Sequence, residues 1–382
     1  MNSPFLNDAH EELRHKVRKF AEKEIKPLAE ELDEKEEFSI ELTKKMGKLG
    51  LFGIQVPKKY GGQGLDTLSY IIAVEELARV DSSQAATVAA VNSLGIAPIL
   101  KYGTEAQKEK YIPQLCTGEK TWAFGLTEKN AGSDALASET EAHLEGDEWV
   151  INGAKKFITN AASDISAGIT LQAVTGTRDG KKQLSAIIVE RGTPGFTTER
   201  LRGKLMWRAT DTGKLFFDNC RVPKENLLGE VGHGGRIMLN TLDSGRLSIA
   251  ALGLGLSIGA FENSLEYSKK RIQFGQPISK FQAVAFKLAD MDMKIELARN
   301  TLYNACWRKD QNLHFGKEAA MAKLYTSEIA REIADEAIQI HGASGLFKTS
   351  PIERFYRDQR LLQIGEGTSE ILRMVISRYL GI

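Results

Sequence analysis

Cysteine is scarce in this sequence, because its 382 residues contain three: Cys116, Cys220 and Cys306. They lie far apart, with no CxxC pair and no cysteine–histidine cluster around them. A disulfide framework and a structural zinc site both need cysteines at recognisable spacings, so both are excluded. We expect a reduced compartment and a cytoplasmic protein.

An excess of charge of either sign is also missing. The chain has 51 Lys and Arg against 50 Asp and Glu, a net charge of +1. Proteins that bind nucleic acid or anionic lipid need a strong positive excess. Neither is expected as a partner.

Long apolar runs are absent as well. The most apolar stretch, Leu247–Phe261, is shorter than the ~18–20 residues that span a bilayer, and it contains Gly and Ser. It predicts a buried core helix rather than a membrane segment. The start of the chain, Met1–Asp8, lacks the basic and apolar regions of a signal peptide, so none is expected.

Several common active-site motifs are missing. The sequence contains no Walker, HExxH or GxSxG pattern, and its six histidines show no metal-ligand spacing. Gly253, Gly255 and Gly259 do not form a dinucleotide fingerprint, because position 258 is Ile and no strand precedes them. Tight packing between helices explains these glycines better.

The length favours two or three domains at ~100–200 residues each. Helical periodicity opens the chain after an Asn7-Asp8 cap, and it returns over Tyr70–Val80 and Ala106–Gln114. The residues predicted to share the first apolar face are Leu13, Val17, Phe20, Ala21, Ile25 and Leu28.

The middle of the chain is predicted to be β structure. Asn152-Gly153, flanked by two strand-like runs, favours a type I′ hairpin. Asp179-Gly180 separates two further runs, Ile169–Val174 and Leu184–Val189, and extended patterns continue to Pro223.

From Gly234 onwards the chain reads as four long helical stretches divided by loops rich in Gly and Pro. Ser350–Glu353 has the pattern of a capping box with Pro at the first helical position. Long helices with short connections favour a bundle. The predicted fold class is α+β, mainly α, with an N-terminal helical domain (1–121), a middle antiparallel β domain (122–232) and a C-terminal four-helix bundle (233–382).

The segment Ile364–Glu370 is the strongest local candidate for a functional site. Gly365 and Gly367 flank the carboxylate of Glu366 just before a helix that Thr368 or Ser369 can cap. Such a turn presents Glu366 from a rigid helix start and leaves its backbone N–H able to donate to a ligand. The alternative is an exposed loop glutamate.

Two other segments could hold a polar, planar cofactor. Gly125–Asp134 is a loop of small and hydroxyl-bearing residues, and in Phe157–Asn160 an aromatic ring could stack on a ring system. The alternatives are a plain surface turn for the first and a core position for Phe157.

Taken together and in order, these segments resemble the acyl-CoA dehydrogenase family, most closely its short-chain, butyryl-CoA-type branch. The resemblance spans nearly the whole chain. Its landmarks are Leu126–Glu128 with Ala131–Asp134, Phe157–Asn160, Leu242–Arg246, Arg271–Gly275, Phe281-Gln282, Gln339–Gly342, Tyr356–Asp358 and Glu366–Glu370.

The resemblance implies α,β-desaturation of an acyl-CoA thioester with FAD as cofactor and Glu366 as the catalytic base. The FAD-binding positions that it implies are Phe124, Leu126, Thr127, Ser133, Phe157, Ile158, Thr159, Arg271, Phe274, Gln282, Gln339, Gly342, Ala343, Thr368 and Glu370. The substrate positions are Ser133, Asp243, Arg246, Gly365 and Gly367.

Assembly and electron transfer are also implied by the resemblance. Arg271, Phe274, Gln282, Gln339 and Gly342 match the set that holds the ADP part of a neighbouring subunit's FAD. That sharing implies a homo-oligomer, usually a tetramer built as a dimer of dimers. The implied electron acceptor is an electron-transferring flavoprotein.

Two alternatives to the dehydrogenase remain. One is an acyl-CoA oxidase of the same fold, and the other is a non-catalytic or nucleic-acid-associated relative. The second alternative ranks last, since the chain keeps Glu366 and has no basic tail.

Two departures from the family pattern bear on the site. Some relatives place the base before the arginine matched by Arg246, and here that residue is Gly245, which leaves Glu366 as the candidate. Gly365 stands where short-chain members commonly carry Tyr. We therefore expect more room for branched or ring-bearing acyl groups, unless another side chain such as Met206 or Leu346 refills the space.

Overall fold

The computed structural model describes residues 4–382 of the chain. Helices make up the first region, as the sequence predicts. They are α1 (Asp8–Phe20), α2 (Ala29–Lys35), α3 (Ile40–Lys48), α4 (Thr67–Ala78), α5 (Ser82–Ala90), α6 (Ala97–Tyr102) and α7 (Glu105–Cys116).

The first helix begins where the sequence predicts it. The Asn7 side chain accepts from the His10 backbone N–H, and the His10 side chain accepts in return from the Asn7 N–H. Val17, Ala21 and Ile25 are fully buried along one face. Leu28 was predicted to share that face but is 37% exposed, because the chain leaves the helix after Ile25.

The middle region is a sheet of eight strands within the described residues. They are β1 (Thr121–Gly125), β2 (Glu141–Glu145), β3 (Glu148–Thr159), β4 (Ser166–Arg178), β5 (Lys181–Glu190), β6 (Phe196–Arg200), β7 (Thr212–Pro223) and β8 (Leu227–Leu228). Their order is β6-β7-β3-β2-β4-β5-β8, with β1 beside β4. Pairing is antiparallel except where β4 meets β1 and β2 in parallel.

The predicted break between strands at Asp179-Gly180 is confirmed, and the predicted hairpin at Asn152-Gly153 is wrong. Asp179 and Gly180 join β4 to β5 in a tight turn with φ values of 51° and 72°. Asn152-Gly153 instead lies inside the continuous strand β3, at a shift in its register with β7. The Asn152 side chain there accepts from the Asn219 backbone N–H, so pairing with β7 overrides the local turn preference.

The last region is again helical, with a small hairpin of β9 (Ile272–Gln273) and β10 (Gln276–Pro277). Its helices are α8 (Gly234–Lys270), α9 (Gln282–Asp310), α10 (Gly316–His341), α11 (Pro351–Asp358) and α12 (Ser369–Tyr379).

The prediction of a fourth long helix is wrong. A 3₁₀ turn and an irregular segment separate α11 from α12, so the fourth member of the bundle is broken. The predicted capping box is also incomplete: Ser350 accepts from Ile352, but the Glu353 side chain pairs with Arg357 instead. The candidate base, Glu366, lies in this break between α11 and α12.

The long helix α8 runs through the core of the molecule, as its apolar run predicts. By length and composition Ser82–Tyr102 and Gly234–Lys270 could each cross a membrane, yet 78% and 89% of their apolar windows are buried inside the fold. A Cβ on Gly255 would collide with the Glu75 carbonyl of α4. The predicted role of these glycines in helix packing is therefore confirmed.

Candidate active site

The turn before α12 holds Glu366 in a conformation that L-residues seldom adopt. Its φ is 54° and that of Gly367 is 102°. Thr368 then caps α12, with its side chain accepting from the Ile371 N–H at 3.3 Å. A left-handed non-glycine residue is uncommon and tends to occur at functional sites, where the surrounding structure holds it.

The carboxyl group of Glu366 points into the protein. Its Oε2 is buried and has no hydrogen-bond partner among residues 4–382. It lies against Gly245 of α8, where a Cβ would come within 2.9 Å of the Glu366 Cδ. The alternative of an exposed loop glutamate is therefore wrong.

The surroundings of this carboxyl suit a general base. Burial raises the pKa of Glu366 to about 7, against the opposing positive charges of Lys323 and Arg246. A base whose pKa lies near the working pH is largely deprotonated and still binds the transferred proton strongly enough to drive its removal. The Glu366 backbone N–H has no acceptor within the described part of the chain, so it can donate to a ligand oxygen.

Two predicted substrate residues lie on α8 near the base. Arg246 is buried and forms an ion pair with Asp243. Asp243 and Ser244 line a cavity of about 460 Å³ between α8 and the N-terminal helices, with Lys101 and Lys309 also in its wall. Gly245, which lies against the base, follows Ser244 in α8.

The other residues of the turn have different surroundings. Gly365 has room for a Cβ: the three nearest atoms, all of Leu361, would lie 3.5–3.6 Å from it, in ordinary van der Waals contact. Neither Met206 nor Leu346 is among its nearest neighbours. Glu370 is exposed in the first turn of α12.

The predicted flavin residues of the middle region come together at the end of β1 and along β3. The Lys156 N–H donates to the Thr127 carbonyl at 2.9 Å, which joins the two segments. Phe124, Leu126 and Ile158 are buried beneath, while Thr127 and Thr159 are partly exposed.

Phe157 projects from this surface. A register shift between β3 and β7 falls at this point, and Phe157 has a φ of 62° and is 62% exposed. The alternative of a core position is therefore wrong. The adjoining Asn160 has a buried side-chain amide without a partner in residues 4–382. An exposed ring beside partly exposed hydroxyls fits a planar, polar group such as a flavin.

The loop that carries Ser133 is built on a buried ion pair. Lys155 donates to Glu128 at 2.5 Å, and Ser138 donates to the same carboxylate at 2.5 Å. Ser133 itself is exposed at the tip. The loop is therefore held at its base by buried hydrogen bonds and exposes Ser133 at its tip, so it is not a plain surface turn.

The remaining predicted cofactor residues lie at the far end of the bundle. Arg271 follows Arg246 by 25 residues, about 37 Å along a helix at 1.5 Å per residue. The α10 terminus meets the same end, where His341 stacks on Tyr267 at 4.3 Å. Six predicted cofactor residues are exposed at this end of the bundle or at the adjacent start of α9. They are Arg271, Phe274, Gln282, Gln339, Gly342 and Ala343.

Sequence reasoning missed Lys323 of α10. Its side chain is fully buried, and its Nζ donates to the Gly367 carbonyl at 2.6 Å. The signal that could have found it is a lysine within the stripe of small residues on α10. That stripe consists of Ala319, Ala322, Thr326, Ala330 and Ala334.

Comparison with protein families identifies all three regions. The N-terminal, middle and C-terminal domains of acyl-CoA dehydrogenase match residues 7–119, 123–220 and 232–381 respectively.

Curated relatives match over nearly the full length. The chain is 49% identical to the probable acyl-CoA dehydrogenase YngJ of Bacillus subtilis, over 98% of each chain. It is 45% identical to the short-chain specific acyl-CoA dehydrogenase of Clostridium acetobutylicum, over 97% of this chain and 98% of the relative.

Solved structures agree. Butyryl-CoA dehydrogenase from Megasphaera elsdenii has a TM-score of 0.96 at 41% identity and covers 100% of both chains. A chain in a structure described as the electron transferring flavoprotein of Acidaminococcus fermentans has a TM-score of 0.96 at 42% identity, over 100% of this chain and 99% of that one. A glutaryl-CoA dehydrogenase from Mycobacterium smegmatis in complex with FADH2 has a TM-score of 0.93 at 29% identity, over 98% and 95%. This chain therefore belongs to the acyl-CoA dehydrogenase family, a family of flavin-dependent oxidoreductases that act on acyl-CoA substrates.

Proposed function

We propose that this enzyme desaturates an acyl-CoA thioester between its α and β carbons, with Glu366 as the catalytic base and FAD as the flavin. The observation that carries the proposal is the buried, unpartnered Oε2 of Glu366, a carboxyl group whose pKa is raised to about 7. The Glu366 carboxylate takes the α-proton, and a double bond forms as the β carbon gives up a hydride. Bound FAD supplies the acceptor for that hydride.

The charge that develops on the thioester oxygen needs a donor. The free backbone N–H of Glu366 is available for this role, because the left-handed turn keeps it out of helical hydrogen bonding. Donors directed at developing charge are typically worth about 10²–10³-fold in rate. In this mechanism one residue supplies both the base and an oxyanion donor.

The flavin is proposed to lie on the surface formed by β1 and β3. Phe157 would pack beside the ring, and hydroxyl groups of Thr127, Ser133 and Thr159 would bind its polar edge. The exposure of Phe157 and the orphaned amide of Asn160 support this placement.

The CoA portion is proposed to contact Ser133, Asp243 and Arg246, with Gly365 and Gly367 against the thioester end. The wall of the cavity beside Asp243 is mainly apolar, and its two lysines, Lys101 and Lys309, would pair with phosphates of CoA. For the acyl group we propose a short to medium, branched or cyclic chain. The similarity to short-chain and butyryl-CoA enzymes and the lack of a side chain at Gly365, where a Cβ would fit without a clash, support this range.

A homo-oligomer, built as a dimer of dimers, is proposed because the exposed set around Arg271 lies far from the chain's own base. Thr368 and Glu370 are proposed to complete the cofactor contacts. Apolar side chains are exposed at spacings of seven and four on α9, at Phe286, Met293 and Leu297. Such a stripe is typical of an interface between proteins. A well-behaved monomer by light scattering that still holds FAD tightly would contradict this assembly.

We propose an electron-transferring flavoprotein as the electron acceptor, supported by the similar chain in the Acidaminococcus fermentans structure. We also propose a cytoplasmic location, supported by three buried, unpaired cysteines. Domain boundaries are proposed after residue 121, the first residue of β1, and after residue 232, in the connection between β8 and α8.

A panel of acyl-CoA thioesters tests the function directly. The purified protein should be yellow, and a substrate should bleach its flavin without oxygen. Glu366→Gln should keep FAD and acyl-CoA binding but lose about 10²–10⁴-fold in flavin reduction, because the amide keeps the shape without the basic oxygen. A near wild-type rate in Glu366→Gln would exclude it as the base. Rapid reoxidation by air after bleaching would instead indicate an oxidase.

A further inference from the structure

A buried lysine lies behind the catalytic turn and takes no part in the chemistry described so far. Lys323 is fully buried on α10, a position that lysine almost never occupies without a partner. Its Nζ donates to the carbonyl of Gly367 at 2.6 Å. One helical turn further on, Ser327 donates to the carbonyl of Leu362 at 2.9 Å. Helix α10 therefore holds the segment before and after Glu366 at two points.

The charge of Lys323 is not used in a structural ion pair. No carboxylate lies within 4 Å of its Nζ in residues 4–382. The charged groups that face it are Glu366, Arg246 and Glu370. Burial lowers the pKa of Lys323 to about 8, so the side chain is still mainly charged at neutral pH.

A neutral side chain could not give the same arrangement. The left-handed Glu366–Gly367 turn needs a donor for its inward-facing carbonyl, and a buried carboxylate needs a nearby positive charge to stay ionised. Arg246 supplies part of that charge, but it is already paired with Asp243. Within residues 4–382, Lys323 is the other cation that acts on Glu366, and it contacts the turn directly.

We propose that Lys323 is a positioning residue for the general base: it fixes the turn that carries Glu366 and favours the ionised form of its carboxyl group. This inference rests on Glu366 being the base, as proposed above. The lysine touches neither substrate nor flavin in this role. It acts through the backbone of Gly367 and through its charge.

The test is the pH dependence of anaerobic flavin reduction by saturating butyryl-CoA, measured from about pH 6 to about pH 9 around the pKa of the base. In Lys323→Met the pH midpoint should move upward by about one unit or more, because a cation near a carboxylate lowers its pKa. The rate at neutral pH should fall about fivefold or more and recover in alkaline buffer, because a midpoint moved from about 7 to about 8 leaves about a tenth of the base ionised at pH 7. Lys323→Gln keeps a donor for Gly367 without the charge, and it should show the same shift if the methionine variant fails to fold.

Two controls separate charge from simple support. Lys323→Arg keeps the charge and should keep the wild-type midpoint. Ser327→Ala removes the second hydrogen bond to the same segment without changing charge, so its midpoint should also stay where it is. An unshifted midpoint in both Lys323→Met and Lys323→Gln would overturn the proposal, whatever happens to the maximal rate. Failure of the proposed function would appear separately, as undiminished flavin reduction in Glu366→Gln.

Discussion

The contact between Glu366 and Gly245 predicts that one methyl group in α8 should disable the base. Gly245→Ala adds a Cβ that would lie 2.9 Å from the Glu366 Cδ and closer still to its Oε2. Carbon atoms in ordinary contact lie about 3.5–4.0 Å apart. The Cδ must therefore move by at least about 0.6–1.1 Å, the difference between these distances, and the closer Oε2 must move further.

A displacement of this size should be costly for the reaction and not for the fold. Misplacing a reacting group by about 1 Å can cost 10²-fold in rate, so flavin reduction should fall by about that factor. Alanine within a helix is about 0.8–1.0 kcal/mol more favourable than glycine. That gain should offset the cost of an off-rotamer glutamate, about 0.5–1.5 kcal/mol, and leave the free energy of unfolding nearly unchanged.

The assay is stopped-flow flavin reduction by butyryl-CoA without oxygen, together with a thermal unfolding curve for each variant. Gly235→Ala is the matched control, since it lies on the same helix and its Cβ would meet the flexible ends of Leu136 and Leu184 instead of the base. Shortening the base with Glu366→Asp in the Gly245→Ala background should recover part of the rate, because the aspartate has room to withdraw. A wild-type reduction rate in Gly245→Ala would refute the idea that this glycine makes space for the base.

Three further predictions follow from the same site and its supports. The rate of flavin reduction should rise with pH and level off above about 7, because only deprotonated Glu366 accepts a proton; a flat profile across this range would contradict the raised pKa. Gly365→Tyr should lower kcat/KM more for a bulky acyl-CoA than for butyryl-CoA, by a difference in transition-state free energy on the order of 1–3 kcal/mol. An equal drop for both substrates would mean that the glycine serves only the turn. Burial raises the pKa of Asp358 to about 7. The folded protein therefore keeps a proton on Asp358 that the unfolded chain releases above about pH 4, so the free energy of unfolding falls as the pH rises from about 4 to about 7. Asp358→Asn retains the acceptor for the Trp207 N–H but cannot titrate, so its Tm should decline less than that of the wild type over this pH range. An equal dependence of Tm on pH in the two proteins would contradict this account.

Local patterns predicted the elements whose cause is local. The Asn7 cap, the Asp179-Gly180 turn and the Thr368 cap each depend on a few adjacent residues, and the structure shows all three. The order of helices, sheet and helices follows from hydrophobic periodicity and is confirmed. Asn152-Gly153 was predicted wrongly because the neighbouring strand β7 decides whether that dipeptide turns or continues.

The candidate site divides in the same way. The sequence alone determined which residue types are present, so it identified Glu366 between two glycines and showed that position 245 carries no carboxylate. Only the tertiary structure decided that Glu366 points inward against Gly245, and that Lys323 reaches the same turn from 43 residues away. The physical reason is that burial and Coulomb interactions depend on distances through space. The raised pKa of Glu366 comes from three separate helical segments meeting around one carboxyl group, and no spacing along the chain encodes that meeting.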